Sequence, residues 1–171
     1  ILPVSIKETV SKHIYRKDPT SEKTIIEGMN STGIEEFFST GDMLGTILKD
    51  VFSNINIYDD DIRLLQRRFV SPIGRGAISF YKYYLMDTLM IDNKECIHLS
   101  FVPQNSQDFG FTGHIYVARD STYGVKRCTM NLPKNTGVNF VENMDIIQEF
   151  EQLPDSSWVL TDDDMTVELA F

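Results

Sequence analysis

"FTGHIYVARDSTYGVKRCTMNL", residues 111–132, is the stretch on which the fold turns. Apolar and polar residues alternate through 111–118 and again through 124–132, the signature of extended strands with one buried face. Between them lies the short polar run Arg119–Tyr123, which suits a tight turn and leaves no room for a crossover helix. The stretch therefore predicts two neighbouring antiparallel strands.

The same grammar recurs on both sides. Residues 77–89 and 95–102 flank a turn centred on Asp92 and Asn93, and residues 138–152 and 157–171 flank Leu153–Ser156. Hairpins that follow one another without helix-length gaps make an antiparallel meander. Upstream the period changes. Residues 18–29 place Thr20, Ser21 and Glu22 before Ile25 and Ile26, with Gly28 as a stop, and predict a short helix. Residues 33–54 carry Ile34, Phe37, Phe38, Leu44, Ile47, Leu48, Val51 and Phe52 at helical spacing, one amphipathic helix or two broken near Gly41. The expected class is α+β: a curved, half-barrel-like antiparallel meander with the N-terminal helices packed on one face.

Strand 78–86 is apolar on both sides. Ile78, Phe80, Tyr84 and Met86 alternate with Tyr81, Tyr83 and Leu85, whereas a sheet with one wet face carries polar residues at every second position. Either a partner or ligand covers the second face, or the sheet curls around a cavity.

Composition narrows the function classes. The 171 residues, 42% hydrophobic and 24% charged, are enough for one core, so residues 1–171 are expected to form a single domain. Sixteen basic against 25 acidic residues leave a net charge of −9, which repels nucleic acid and anionic bilayers. The densest basic cluster, Arg63–Arg68, reads as a short charged strand or turn. The start at Ile1 and an alternation that runs up to Phe171 lead us to expect a fragment of a longer protein.

No catalytic constellation emerges. His98 and His114 fall on neighbouring strands without a further ligand at metal spacing. The runs Asp59–Asp61 and Asp162–Asp164 lack the spacing of a calcium loop. Ser71 has no nucleophile elbow, and Gly74 and Gly76 have no phosphate-loop lysine; with Pro72 they read as a turn into the Tyr-rich strand. Glu149 and Glu151 share a strand face but alternate with Phe150, as a solvent-facing stripe does. Cys96 and Cys128 sit inside strands and read as free, half-buried thiols, pairing only if their strands adjoin in suitable geometry. A non-enzyme without metal or cofactor is expected.

Four motifs carry a resemblance: "LPVSIKETVSKHIYRKDP", "FVSPIGRGAISFYKYYLMDT", "IHLSFVPQNSQDFGFTGHIYVARDSTYGVKR" and "VNFVENMDIIQEFE". Together they resemble an outer-membrane family of Gram-negative bacteria of unknown function. Its members join a carboxypeptidase-regulatory-like β-domain, a middle periplasmic region and a C-terminal β-barrel. The resemblance implies that this chain is the middle piece, at the periplasmic face of the outer membrane. Residues 81–169 are also distantly similar to periplasmic lipoprotein-carrier-like half-barrels, which implies a cavity for a lipid or lipoprotein acyl chain. Its candidate lining is Phe80, Tyr81, Tyr83, Phe101, Phe111, Phe140, Phe150 and Trp158. The other expectation is an adaptor with a filled core, whose exposed edge meets its own barrel or another envelope protein.

Overall fold

A computed structural model describes residues 6–17, 20–32, 55–64, 66–133 and 141–169, the first two segments and residue 169 as backbone alone. The described residues form ten strands and one short helix: β1 (Ile6–Lys17), β2 (Thr20–Thr32), β3 (Asp61–Leu64), β4 (Arg67–Val70), α1 (Ala77–Phe80), β5 (Tyr81–Ile91), β6 (Lys94–Pro103), β7 (Thr112–Ala118), β8 (Val125–Pro133), β9 (Val141–Gln152) and β10 (Trp158–Leu169). Eight strands build one open sheet in the order β2-β1-β10-β9-β8-β7-β6-β5, and β3 and β4 make a separate hairpin. Strands β5 to β10 are the expected meander, and every pairing among the described residues is antiparallel.

The opening stretch forms β7 and β8, with Thr112 opposite Asn131 and Ile115 opposite Cys128. The Asp92–Asn93 turn is tight because both residues adopt positive φ, 48° and 63°, as a two-residue hairpin loop between right-twisted strands requires. The register slips between Leu85 and Asp87, between Tyr116 and Val117 and between Leu160 and Asp162. Such bulges bend and twist the strands that carry them.

The N-terminal part differs from its sequence reading. The helix expected over 18–29 falls largely on strand β2, which pairs with β1 from Lys17↔Thr20 to Ile6↔Thr32. The β-branched residues Thr20, Thr24, Ile25, Ile26 and Thr32 suit an extended chain, and a ladder along the full length of β1 outweighs weak helical punctuation. The helix expected between Ile34 and Phe52 lies outside the described residues. Ile78 and Phe80, expected in the Tyr-rich strand, belong to the single turn α1.

The core lies on one face of the meander beneath the β3–β4 hairpin. Tyr81, Phe101, Ile115, Cys128, Met130, Ile146 and Phe150 are buried there together with Ile57, Ile62, Leu64 and Phe69 from the segment on top. Arg63 pairs with Arg68 across the hairpin, both side chains in solvent, so the basic cluster is a charged strand pair as expected. Two hydroxyls fasten the cover: Tyr81 donates to the Val70 carbonyl at 2.6 Å and Tyr83 to the Pro72 carbonyl at 2.6 Å. The Ser71 hydroxyl donates to the Ile57 carbonyl, and the Gln148 amide donates to the Ile55 carbonyl at 2.8 Å. Each closes a buried polar group that would otherwise cost stability.

At one end of the sheet three turns are tied by polar contacts. Lys94 pairs with Asp120 and donates to the Gln152 side chain at 2.9 Å, while buried Lys126 reaches the Phe150 carbonyl at 3.0 Å and Asp92 at 2.9 Å. The hydrogen bond from Lys94 holds the Asp120 carboxyl well below the usual carboxylate range.

Candidate functional site

The aromatic residues singled out in the sequence divide into three groups. Phe80, Tyr81, Tyr83 and Phe101 meet at one end of the core: the Tyr81 ring lies 4.7 Å from Phe80, 5.2 Å from Phe101 and 6.5 Å from Tyr83. These are edge-to-face contacts, the preferred arrangement of rings that touch. Phe111 joins them because its N–H donates to the Tyr81 hydroxyl at 3.2 Å, and its ring tilts against Phe69 at 5.5 Å. Phe150 packs elsewhere, edge-on to Tyr58 at 6.1 Å. Trp158 lies over the β7–β8 turn, its Nε1 donating to Thr122 Oγ1 at 3.0 Å. It sits so close to Gly124 that a Cβ there would fall 2.0 Å from its Nε1. Phe140 lies outside the described residues.

Burial keeps the hydroxyls of this cluster neutral. It raises Tyr81 far above the ordinary phenol range and pushes Tyr83 up to about 12. The cluster therefore presents rings to rings and hydroxyls to backbone carbonyls.

The opposite situation holds on β5. Among the described strands this one ends the sheet, hydrogen-bonded to β6, and it leaves Tyr84, Leu85, Met86 and Met90 exposed by 51%, 73%, 55% and 62%. Ile78 on α1 and Phe109 in the β6–β7 loop are exposed as well. The charged residues along its length are Lys82 and Asp87. A long apolar edge is what solitary proteins avoid, since its free N–H and C=O groups can pair with another strand, although the bulge between Leu85 and Asp87 interrupts this one. The sequence signal was the two-sided apolar pattern of residues 78–86.

On the face of the meander away from the core, polar residues meet across strands. His98 Nδ1 lies 2.8 Å from Asp87 Oδ1, and His98 Nε2 lies 2.8 Å from His114 Nδ1. The His98 ring stacks on Tyr116 at 4.5 Å, the Arg127 guanidinium lies 5.5 Å from the centre of the Tyr116 ring, and Arg127 Nε donates to Glu149 at 2.7 Å. Asp87, Tyr116 and Arg127 were not singled out in the sequence, because which residues meet on a sheet face is set by register and bulges.

A family model matches residues 3–171 of the chain. The chain belongs to DUF5686, a family of unknown function. None of the curated proteins compared matches it. Among solved structures the DUF5686 chain is similar to MucB at 8% identity and a TM-score of 0.29, over 96% of this chain and 88% of that one.

The other residues weighed in the sequence take these places in the DUF5686 chain. Asp60 holds Arg75 through its backbone N–H and a forked guanidinium contact at 2.6–3.2 Å. Asp162 to Asp164 lie along β10, opposite Glu149, Gln148 and Ile147. Cys96 and Cys128 are buried and free; burial raises both thiols, Cys128 to about 12, so neither is a ready nucleophile. No helix among the described residues is long and apolar enough to cross a membrane.

Proposed function

We propose that this chain is a non-catalytic docking domain: the meander and its β3–β4 cover form a filled scaffold, and the β5 edge receives a strand from a partner protein. The contrast between the two apolar regions supports this reading. Four of the rings that would line a lipid cradle, Phe80, Tyr81, Tyr83 and Phe101, touch one another, with the Tyr81 and Tyr83 hydroxyls bound to the cover, whereas Tyr84, Leu85, Met86 and Met90 of β5 face outward at the edge of the sheet. Strand addition draws affinity from main-chain hydrogen bonds and specificity from alternate side chains, and β5 offers both.

The motif resemblance described above supports a location at the periplasmic face of the outer membrane, beside a carboxypeptidase-regulatory-like domain and a C-terminal β-barrel. The partner strand then comes from that barrel or from another envelope protein. Photocrosslinkers at Tyr84 and Met90, compared with one at the buried position Met144, test this in cell envelopes. Discrete protein adducts at the two β5 positions and none at Met144 are expected, and Leu85→Lys should abolish them. A saturable, displaceable interaction of the purified chain with a fluorescent fatty acid, weakened by Phe101→Asp in a variant that still folds, would replace docking by the sheltering of an acyl chain.

A further inference from the structure

The Asp87–His98–His114 chain on the open face is a hydrogen-bonded wire whose proton count is fixed by its geometry. Four imidazole nitrogens are involved, and three of them have partners among the described residues. Asp87 is an acceptor when ionised, so His98 Nδ1 carries a hydrogen and donates across 2.8 Å. In a neutral ring His98 Nε2 is then bare, and the hydrogen in the 2.8 Å contact between the rings must sit on His114 Nδ1. That leaves His114 Nε2 as the bare nitrogen of the neutral pair.

We propose that the two histidines form a single proton-binding site, entered at His114 Nε2 and discharged toward Asp87. A proton taken up at His114 Nε2 lets the hydrogen on His114 Nδ1 pass to His98 Nε2. His114 returns to neutrality as its other tautomer, and the positive charge arrives on the ring that faces the Asp87 carboxylate. One N–H lies between the rings before and after the transfer, so the contact survives. A second proton would place hydrogens on both facing nitrogens and break it. Burial, and then the charge of His98, hold His114 below the usual histidine range, in keeping with one shared charge rather than two.

The surroundings leave the wire's charge to Asp87. From β7, Tyr116 stacks on His98 as a neutral ring. From β8 and β9, Arg127 over Tyr116 is paired with Glu149. Along β6, Cys96 is a buried thiol held protonated, and Lys82 lies further along β5, beyond the rung where Tyr84 meets Ser100. The His98 side chain is 15% exposed and the Asp87 carboxylate 64%, so the charge is delivered toward solvent and not into the core.

The test is nitrogen and carbon NMR of histidine-labelled protein in a His13→Gln background, titrated from pH 8 to pH 4.5. Both rings are expected as Nδ1–H tautomers at pH 8, moving through one common midpoint with uptake of one proton for the pair. His114→Gln should remove the ring-to-ring N–H contact and with it the tautomer coupling of the pair. Asp87→Asn replaces an acceptor-only carboxylate by an amide that can also donate, and should weaken the preference of His98 for the Nδ1–H tautomer. The tautomers of the unmutated pair decide the matter even if a variant misfolds. An Nε2–H tautomer of His114 at pH 8, or uptake of a full proton by each ring at independent midpoints, would overturn the proposal.

Discussion

The two faces of the meander are built from the same strands and do opposite things with their side chains. On the core face, aromatic rings meet edge to face and their hydroxyls end on backbone carbonyls, so the polar atoms fasten the cover to the sheet. On the open face, polar and ionisable groups meet one another across neighbouring strands: Asp87 with His98 and His98 with His114, Arg127 with Glu149, Asn131 with Asn143 and Asp145. Stability should reside in the first set and response to solution conditions in the second. Cross-strand pairs at an exposed face contribute tenths of a kilocalorie, whereas a buried ring contributes several kcal/mol.

The sharpest way to break this contrast is to disturb the core face. A Cβ added at Gly113 would lie 1.9 Å from the Thr129 carbonyl oxygen and 3.2 Å from the Met130 Cα, so Gly113→Val must push β7 off β8. A loss of at least about 3 kcal/mol, or failure to fold, is expected. Phe101→Ala, which empties the centre of the aromatic cluster, should cost about 3–5 kcal/mol in chemical denaturation. A cost under about 1 kcal/mol would mean that this cluster is not the core.

One carboxylate on the core side makes an intermediate case. Asp163 stands opposite Gln148 on β9, and its Oδ1 is buried with no partner among the described residues. Burial pushes its carboxyl up to about 6, against about 3.9 for an unfolded Asp. A raised value means that the folded state holds the proton more tightly. The corresponding stability is present below about pH 4 and is lost as pH rises through about 6. Asp163→Asn should therefore flatten this part of the profile and stabilise the protein at pH 7.5 by about 1–2 kcal/mol, with little gain at pH 4. Equal effects at both pH values would assign the change to packing instead.

The open face should respond least. Tyr116→Ala removes the stacking on His98 and the contact with Arg127 and is expected to cost about 1 kcal/mol. Leu85→Lys on the exposed edge should stay within about 0.5 kcal/mol. A Tyr116→Ala penalty matching that of Phe101→Ala, together with a concentration-dependent Tm, would show that this face is covered by another copy of the chain.

Much of the meander was legible because its signals are local. Period-two alternation needs only neighbouring residues to be read, and Asp92 with Asn93 tolerates the positive φ of a tight turn whatever surrounds it. Strand β2 was not legible. Thr20, Ser21 and Gly28 carry the punctuation of a helix, and the pairing with β1 that overrides it is a contact between segments. The candidate aromatic residues were legible as apolar, but not as packed: a strand that lines a cavity and a strand that lines a filled core show the same alternation.

The sequence by itself determined the antiparallel hairpins, the acidic charge balance and the excess of apolar residues on the Tyr-rich strand, since each is a property of composition or of residues close in the chain. Only the tertiary structure decided which of those apolar residues touch each other and which face outward on β5. It alone also brought Asp87, His98 and His114 within hydrogen-bond reach. The reason is the bulge between Leu85 and Asp87: it sets Asp87 opposite His98, where an unbroken register continuing from Leu85↔Leu99 would have placed Met86. A one-residue shift reverses the face to which every later side chain points, and alternation alone does not record where such a shift occurs.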